Sequence, residues 1–144
     1  MFQTILVAID DSDAARSALR YAVSLANATG GKVILCNNID VGKLVAVSGY
    51  ETPYPAVTIE IMRNNSKQLL DDATKTCSEA GVTCSSVTSE GDTCDQVLQI
   101  AKEKQADLIA LGTHGRQGLP RLFIGSVAEG VLRRAEVPVL VTRE

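Results

Sequence analysis

The sequence has few aromatic residues, one histidine and no tryptophan. Only 3% of its 144 residues are aromatic, and His114 is the single histidine. A zinc site built from histidines would therefore lack its usual partners. Cys36, Cys77, Cys84 and Cys94 form no C-x-x-C pair, so we interpret them as small buried residues rather than as disulfides or metal ligands.

The sequence also lacks an excess of positive charge and a long apolar run. Its formal net charge is −3 and its lysines and arginines are dispersed, so no broad basic face for a nucleic acid is predicted. No apolar run is long enough to span a bilayer, and the first residues lead directly into a predicted strand without the basic stretch of a signal peptide. We therefore expect a cytoplasmic protein with no nucleic-acid partner and no membrane insertion.

What is present is a regular alternation of strand and helix patterns, which indicates an α/β sheet. A length of 144 residues with 45% hydrophobic residues suits one domain over residues 1–144. Residues 40–56 lack a steady period and predict a long loop. The predicted strands are 4–9, 32–39, 82–89, 107–111 and 138–142. The predicted helices are one capped by Ser12 or Asp13 and ended by Gly30, one over 57–80, one over 93–104, and a last one with Ser126 as its N-cap.

A glycine-rich, basic segment between the fourth strand and the last helix is the strongest functional signal. Gly112, Gly115 and Gly118 can adopt backbone conformations closed to other residues and have no Cβ to block a ligand, so their N–H groups can face an anion. Arg116 and Arg121 add positive charge, and the N-terminus of the last helix adds unpaired N–H donors. The segment predicts a phosphate site, and the alternative is a surface loop with solvated arginines.

The spacing Gly112-x2-Gly115-x9-Gly125-Ser126 resembles the ATP-binding signature of the universal stress protein family. The first strand, Ile5-Leu-Val-Ala-Ile-Asp10, and the run Val137-Pro-Val-Leu-Val141 are also similar to that family, so the resemblance covers the whole length with a variable middle. It implies a single-domain α/β fold, with a doubly wound five-stranded parallel sheet in the order 3-2-1-4-5 and helices on both faces. It also implies ATP as the ligand, together with Mg²⁺.

The expected nucleotide contacts combine this resemblance with the residue patterns. Asp10 ends the first strand, where a carboxylate accepts hydrogen bonds from ribose hydroxyls or faces a phosphate-bound metal ion. From the residues alone, capping of the next helix is the alternative role for Asp10. Asp11 departs from the family pattern, in which many relatives have glycine, and adds negative charge near a polyphosphate. The expected binding residues are Ala8, Asp10, Asn38, Ile39, Gly112, Gly115, Arg116, Gly125, Ser126 and Val127.

The motifs favour binding of a nucleotide over its chemical conversion. The P-loop pattern G-x-x-x-x-G-K-[ST] is absent, and no lysine follows the glycines to stabilise a transferring phosphoryl group. His114 could activate a water molecule, or it could fix the loop through a backbone hydrogen bond. We therefore assign no catalytic residue and expect a nucleotide-dependent regulatory switch, with a slow ATPase or phosphate-transferring enzyme as the alternative.

The last predicted strand indicates how copies of the chain associate. Residues 137–142 are apolar and carry few charges, and an exposed edge of this kind tends to be covered or paired with another chain. We expect a homodimer through Val137 to Thr142, and the family resemblance strengthens this expectation. A dimeric interaction protein that binds no nucleotide is a third hypothesis, and the regulatory protein partner is not identified by the sequence.

Overall fold

The computed structural model describes residues 1–43, 56–113 and 123–143, with the backbone alone for residues 56 and 57. Strands and helices alternate along this part of the chain, and the observed strand boundaries lie within one residue of the predicted ones. The predicted loop over residues 40–56 is wrong at its described ends, because residues 41–43 are helical and residue 56 begins a helix; residues 44–55 lie outside the described part. The elements are β1 (Thr4–Ala8), α1 (Asp13–Thr29), β2 (Lys32–Ile39), α2 (Ala56–Glu79), β3 (Thr83–Glu90), α3 (Thr93–Glu103), β4 (Leu108–Gly112), α4 (Ser126–Arg134) and β5 (Val139–Thr142).

The strands form one parallel sheet in the order β3-β2-β1-β4-β5, which confirms the expected order. The central strand β1 is apolar because helices cover both of its faces. Its residues Ile5, Leu6 and Val7 are fully buried. By contrast, β3 lies at one edge of the sheet and contains only half-buried and exposed residues.

Each face of the sheet has its own hydrophobic core, as expected for helices on both faces. On one face α1 and α2 contribute residues such as Leu19 and Leu70. On the other face α3 and α4 contribute residues such as Val97 and Val131. The chain thus winds one way from β1 to β3 and the other way from β4 to β5, so the winding reverses between the neighbouring strands β1 and β4. In such sheets, ligands bind beyond the carboxyl ends of the strands at this point.

The ends of α1 follow from local hydrogen bonding. Ser12, one of the two predicted caps, takes the N-cap position, and its hydroxyl accepts a hydrogen bond from the backbone N–H of Ala15 at 3.1 Å. Gly30 ends the helix in the left-handed conformation at a φ of 69°, which suits a residue without a Cβ. In the described ranges, no helix has the combination of length and apolar character that crossing a membrane requires.

Candidate functional site

A cavity of about 650 Å³ lies beyond the carboxyl ends of β1, β2 and β4. This is the position at which the sheet topology predicts a ligand, and the volume suits a small molecule of nucleotide size. The start of α4 forms the opposite wall. The lining residues are Ala8, Ile9, Asp10, Cys36, Asn37, Asn38, Lys43, Thr93, Val97, Leu111, Gly112, Phe123, Ile124, Gly125, Ser126, Val127 and Ala128.

The N-terminus of α4 opens into this cavity, but its cap differs from the prediction. Gly125, not Ser126, is the N-cap, with an extended backbone and no side-chain cap hydrogen bond. The reason is that the Gly125 carbonyl already accepts the first helical hydrogen bond, from the Glu129 N–H at 2.9 Å. Ser126 is therefore the first helical residue, and its hydroxyl is not committed to capping. The N–H groups of Ser126, Val127 and Ala128 precede the first helical bond, so they have no partner within the helix.

Gly112 ends β4 at the cavity and also touches α1. A Cβ on Gly112 would lie 2.6 Å from both the Ala14 Cβ and the Ala15 nitrogen, which is closer than any real Cβ contact. The first turn of α1 therefore packs directly against the backbone of β4. Because Gly112 has no side chain, the end of β4 and the start of α1 lie in direct contact. This contact is at the place where the winding of the sheet reverses.

Asp10 lies on the cavity wall between β1 and α1. Its Oδ1 accepts a hydrogen bond from the backbone N–H of Ser12 at 2.8 Å. This contact orders the turn before α1, whereas the cap itself is the Ser12 hydroxyl, so the alternative in which Asp10 caps the helix is wrong. The Asp10 carboxylate thereby lies at the edge of the cavity.

Asn38 fixes the turn between β3 and α3 against the end of β2. Its amide nitrogen donates to the Gly91 carbonyl at 2.8 Å and to the Thr93 hydroxyl at 2.9 Å. Its amide oxygen accepts from the Ser89 hydroxyl at 2.9 Å. Both polar atoms of the Asn38 side chain are therefore hydrogen-bonded within the protein. A ligand would contact the backbone of Asn38, while the side chain makes this wall of the cavity rigid.

The neighbouring residues of β2 give the cavity a neutral wall. Asn37 donates its amide to the Ile9 carbonyl at 2.7 Å, which holds the ends of β1 and β2 together. Cys36 is buried, and burial raises the pKa of its thiol to about 12. With Ala8 and Val97 nearby, these groups form an uncharged and partly apolar surface of the kind that accommodates an aromatic base.

The structure brings most of the expected binding residues to one place. Seven of them line the cavity: Ala8, Asp10, Asn38, Gly112, Gly125, Ser126 and Val127. Ile39 does not line it, because its side chain is buried and its carbonyl accepts from the Gly91 N–H at 3.1 Å. Gly115 and Arg116 lie outside the described residues, as do His114, Gly118 and Arg121.

Other lining residues were not anticipated from the sequence. Thr93 begins α3 directly after the edge strand β3, and Lys43 lies 3.6 Å from an Asp40 carboxylate oxygen. Phe123 and Ile124 precede α4 and are exposed. The available signal for Thr93 was its position after the end of a parallel strand, because those ends share one edge of the sheet. The three other residues carried no comparable signal.

Comparisons with known proteins agree with this architecture. A sequence model described as "Universal stress protein family" matches residues 1–143. A universal stress protein of Methanocaldococcus jannaschii is 30% identical over 144 residues, which is 100% of this chain and 84% of the relative. The universal stress protein YxiE of Bacillus subtilis is 32% identical over 99% of this chain and 100% of its own length.

Solved structures of related proteins have the same fold. A universal stress protein family member from Burkholderia pseudomallei is 30% identical, with a TM-score of 0.78 over 97% of this chain and 95% of that one. A universal stress protein from Archaeoglobus fulgidus in complex with dAMP is 25% identical, with a TM-score of 0.69 over 99% of both chains.

Proposed function

This chain belongs to the universal stress protein family, and from that premise we propose that it binds an adenine nucleotide, ATP with Mg²⁺, and acts as a nucleotide-dependent switch. The observation that carries the proposal is the N-terminus of α4, which opens into the cavity where the winding of the sheet reverses. The Archaeoglobus fulgidus relative in complex with dAMP supports an adenine nucleotide as the class of ligand.

In this proposal the phosphates lie at the start of α4. The three N–H groups before the first helical bond belong to residues that line the cavity and would donate to the phosphates, and the helix dipole adds roughly half a positive charge there. Ser126 lines the cavity with a hydroxyl that makes no cap bond. Gly115 and Arg116, which lie outside the described residues, are proposed to complete the phosphate site from the preceding loop.

The ribose and the base occupy the side of the cavity formed by β1 and β2. Asp10 is placed to accept hydrogen bonds from ribose hydroxyls, and its carboxylate also suits Mg²⁺ held mainly by phosphate oxygens. When bound, the ion neutralises part of the phosphate charge. The base lies against Ala8 and the neutral surface at Cys36, close to the backbone of Asn38.

A charge placed at the start of α4 tests the phosphate position. Ser126→Asp puts a negative charge at a helix N-terminus, which stabilises the helix by about 0.3–1 kcal/mol, but the same charge repels a phosphate. We expect the affinity for ATP, measured by calorimetry with Mg²⁺, to fall by about tenfold or more, while the Tm stays equal or rises. Ser126→Ala removes the hydroxyl alone and is expected to have a smaller effect.

Ser85→Asp is the matched control, because it adds the same charge at an exposed position on the edge strand β3. Its affinity for ATP should equal that of the unmodified chain. Unchanged binding by Ser126→Asp would contradict the phosphate position. A flat titration of the unmodified chain with adenylates would contradict nucleotide binding and favour an interaction protein without a ligand.

Slow hydrolysis of ATP is the second candidate function. Measuring ADP over hours with purified protein, ATP and Mg²⁺ separates the two, since a pure binding protein leaves ATP intact. Turnover that disappears in His114→Ala would favour the enzyme, and its absence in the unmodified chain favours the switch.

We also propose that the chain forms a homodimer in the cytoplasm. The supporting observation is the position of β5 at the edge of the sheet, with Val139, Leu140 and Val141 each only half buried. A second copy pairing along Val137 to Thr142 would cover this apolar edge. In this arrangement the single domain of residues 1–144 is the unit of binding, and the dimer presents two nucleotide sites to a regulatory protein partner.

A further inference from the structure

Helix α2 and strand β3 run in opposite directions and contact each other through paired side chains. Near the start of α2, the Arg63 Nε lies 2.7 Å from the Glu90 Oε1. The next contact joins the hydroxyls of Ser66 and Thr88 at 3.2 Å. The alternate residues of β3 therefore face α2, and Cys84 is in the same alternate row.

The next pair in this row is made of two cysteines, Cys77 and Cys84. With the standard rise per residue, Cys77 lies about 16 Å along α2 from Ser66, and Cys84 lies about 13 Å along β3 from Thr88. Both distances run towards the turn that joins the two elements. Both residues therefore reach nearly the same level. Their side chains pack in the same hydrophobic core, and each thiol is close enough to shift the pKa of the other.

A tight turn fixes the two elements beside this pair. The Cys77 carbonyl accepts hydrogen bonds from the N–H groups of Ala80 at 3.1 Å and Val82 at 3.0 Å. Gly81 adopts a left-handed φ of 70°, which a glycine takes without strain. The chain therefore reverses directly after Cys77, and the end of α2 cannot move away from the start of β3 without breaking these bonds.

The two thiols differ in exposure and in acidity. Cys77 is fully buried, whereas Cys84 is half buried. The neighbouring Cys77 thiol lowers the pKa of Cys84, burial of Cys84 opposes this effect, and the Thr74 hydroxyl adds to it. The neighbouring Cys84 thiol and burial raise the pKa of Cys77. A half-buried thiol with a lowered pKa beside a buried thiol with a raised pKa matches the pairing of a reactive and a resolving cysteine in redox sensors.

We propose that Cys77 and Cys84 form a redox-active pair that a hydroperoxide converts into an intramolecular disulfide. The Cys84 thiolate attacks the peroxide oxygen and breaks the O–O bond, which gives a sulfenic acid and, after uptake of a proton, the first water. The Cys77 sulfur then attacks the Cys84 sulfur and displaces hydroxide, which takes the Cys77 proton and leaves as the second water. In total, two thiols lose two electrons and one hydrogen peroxide is reduced to two waters.

The other cysteines provide internal controls. Cys36 and Cys94 pack in the core on the opposite face of the sheet, so the folded sheet separates them from Cys77 and Cys84. Burial raises the pKa of both thiols, which keeps them protonated and less reactive than Cys84. A selective oxidant should therefore distinguish the pair from the other two thiols.

The test treats the reduced, folded full chain with an equimolar amount of hydrogen peroxide and then labels the remaining thiols with N-ethylmaleimide after denaturation. We expect two of the four thiols to escape labelling. Cleavage after glutamate releases peptides 61–79, 80–90 and 91–103, which separate Cys77, Cys84 and Cys94. Mass spectrometry should find the first two peptides joined by a disulfide that a reductant breaks.

Variants assign the roles within the pair. Cys77→Ala should leave Cys84 as a sulfenic acid that dimedone traps, whereas Cys84→Ser should leave all remaining thiols free for labelling. Cys94→Ser should form the disulfide to the same extent as the unmodified chain. Full labelling after peroxide, a link to peptide 91–103, a disulfide between two chains, or equal yield from chain unfolded in urea would each overturn the proposal.

Discussion

The hydrogen atom of Gly112 faces the first turn of α1, and nothing larger fits at this position. A Cβ there would meet the Ala14 Cβ and the Ala15 nitrogen at 2.6 Å. Because one of these atoms belongs to the helix backbone, a side-chain rotation cannot relieve the contact. The site thus depends on close contact between two backbones, one ending β4 and the other beginning α1.

We therefore predict that Gly112→Ala destabilises the fold by about 2–3 kcal/mol, since overpacking that moves backbone has costs of this order. Urea unfolding followed by circular dichroism measures the change. Gly42→Ala is the matched control, because its Cβ would have ordinary contact at 3.5 Å with an Asp40 oxygen. A loss below about 0.5 kcal/mol for Gly112→Ala would show that α1 shifts freely and would contradict this packing.

The same residue shows why sequence alone could not describe the site. The missing Cβ of Gly112 suits a ligand-facing turn, and it equally suits packing against α1. The sequence does not distinguish these roles, because Ala14 and Gly112 are distant along the chain. The side-chain bonds of Asn38 escaped prediction for a similar reason, since its partners Ser89, Gly91 and Thr93 approach only when β2 and β3 pair.

Helix α4 contacts α3 closely at Gly130. A Cβ on Gly130 would lie 2.8 Å from the Cys94 sulfur. Glycine in the middle of a helix costs about 1 kcal/mol relative to alanine, so Gly130 reduces the stability of α4. The same glycine allows α4 to pack closely against α3. That packing also sets the direction in which the N-terminus of α4 points.

We predict that Gly130→Ala and Cys94→Ala are not additive. In the unmodified background the gain in helix propensity from Gly130→Ala is cancelled by the contact with the sulfur. In the Cys94→Ala background the contact is absent, so Gly130→Ala should stabilise the chain by about 0.5–1 kcal/mol. A double-mutant cycle by urea unfolding measures the coupling, and additive free energies would contradict the close approach.

The start of α4 shows that hydrophobic spacing predicts where a helix lies but not its first residue. The apolar residues Val127, Ala128 and Val131 located the helix correctly. Its first residue was misassigned because both Gly125 and Ser126 are acceptable N-caps, and hydrophobic spacing does not depend on which one is used. This difference matters for the site, because the hydroxyl of Ser126 does not cap the helix and can contact a ligand.

At the scale of the whole molecule, β5 forms one edge of the sheet, and no further strand of the described residues pairs with it. The carbonyls of Pro138 and Thr142 accept from the N–H groups of Ile109 and Thr113 on the β4 side, at 3.0 and 2.8 Å. Because strand residues alternate in direction, the backbone groups of Val139 and Val141 point away from β4. These are the groups with which a second copy of the chain would pair.

We predict that Val141→Pro converts the proposed dimer to a monomer. Proline removes an outward N–H without removing a bond to β4, and edge positions tolerate it. Light scattering after size-exclusion chromatography measures the mass, with circular dichroism to verify folding. Val141→Thr keeps the N–H and should remain dimeric. A Val141→Pro dimer would place the interface elsewhere, and a monomeric unmodified chain would contradict the dimer.

The global architecture was more predictable than its details. Alternating patterns gave every strand of the sheet, because a parallel sheet buried on both faces demands apolar runs such as Ile5 to Val7. The strand order came from the family resemblance, since periodicity carries no information on which strands are neighbours. The phosphate loop was predicted from Gly115 and Arg116, which the described residues do not include.

The side-chain bonds of Asn37 and Asn38 have a consequence for how the cavity responds to acid. Amides and hydroxyls make these bonds, and such groups neither gain nor lose protons at physiological pH. The thiol of Cys36 is equally inert, with its pKa raised to about 12. A nucleotide's terminal phosphate, by contrast, titrates near a pKa of about 6. Acidification would therefore change the charge of a bound nucleotide, whereas this wall of the cavity would keep its shape and its charge.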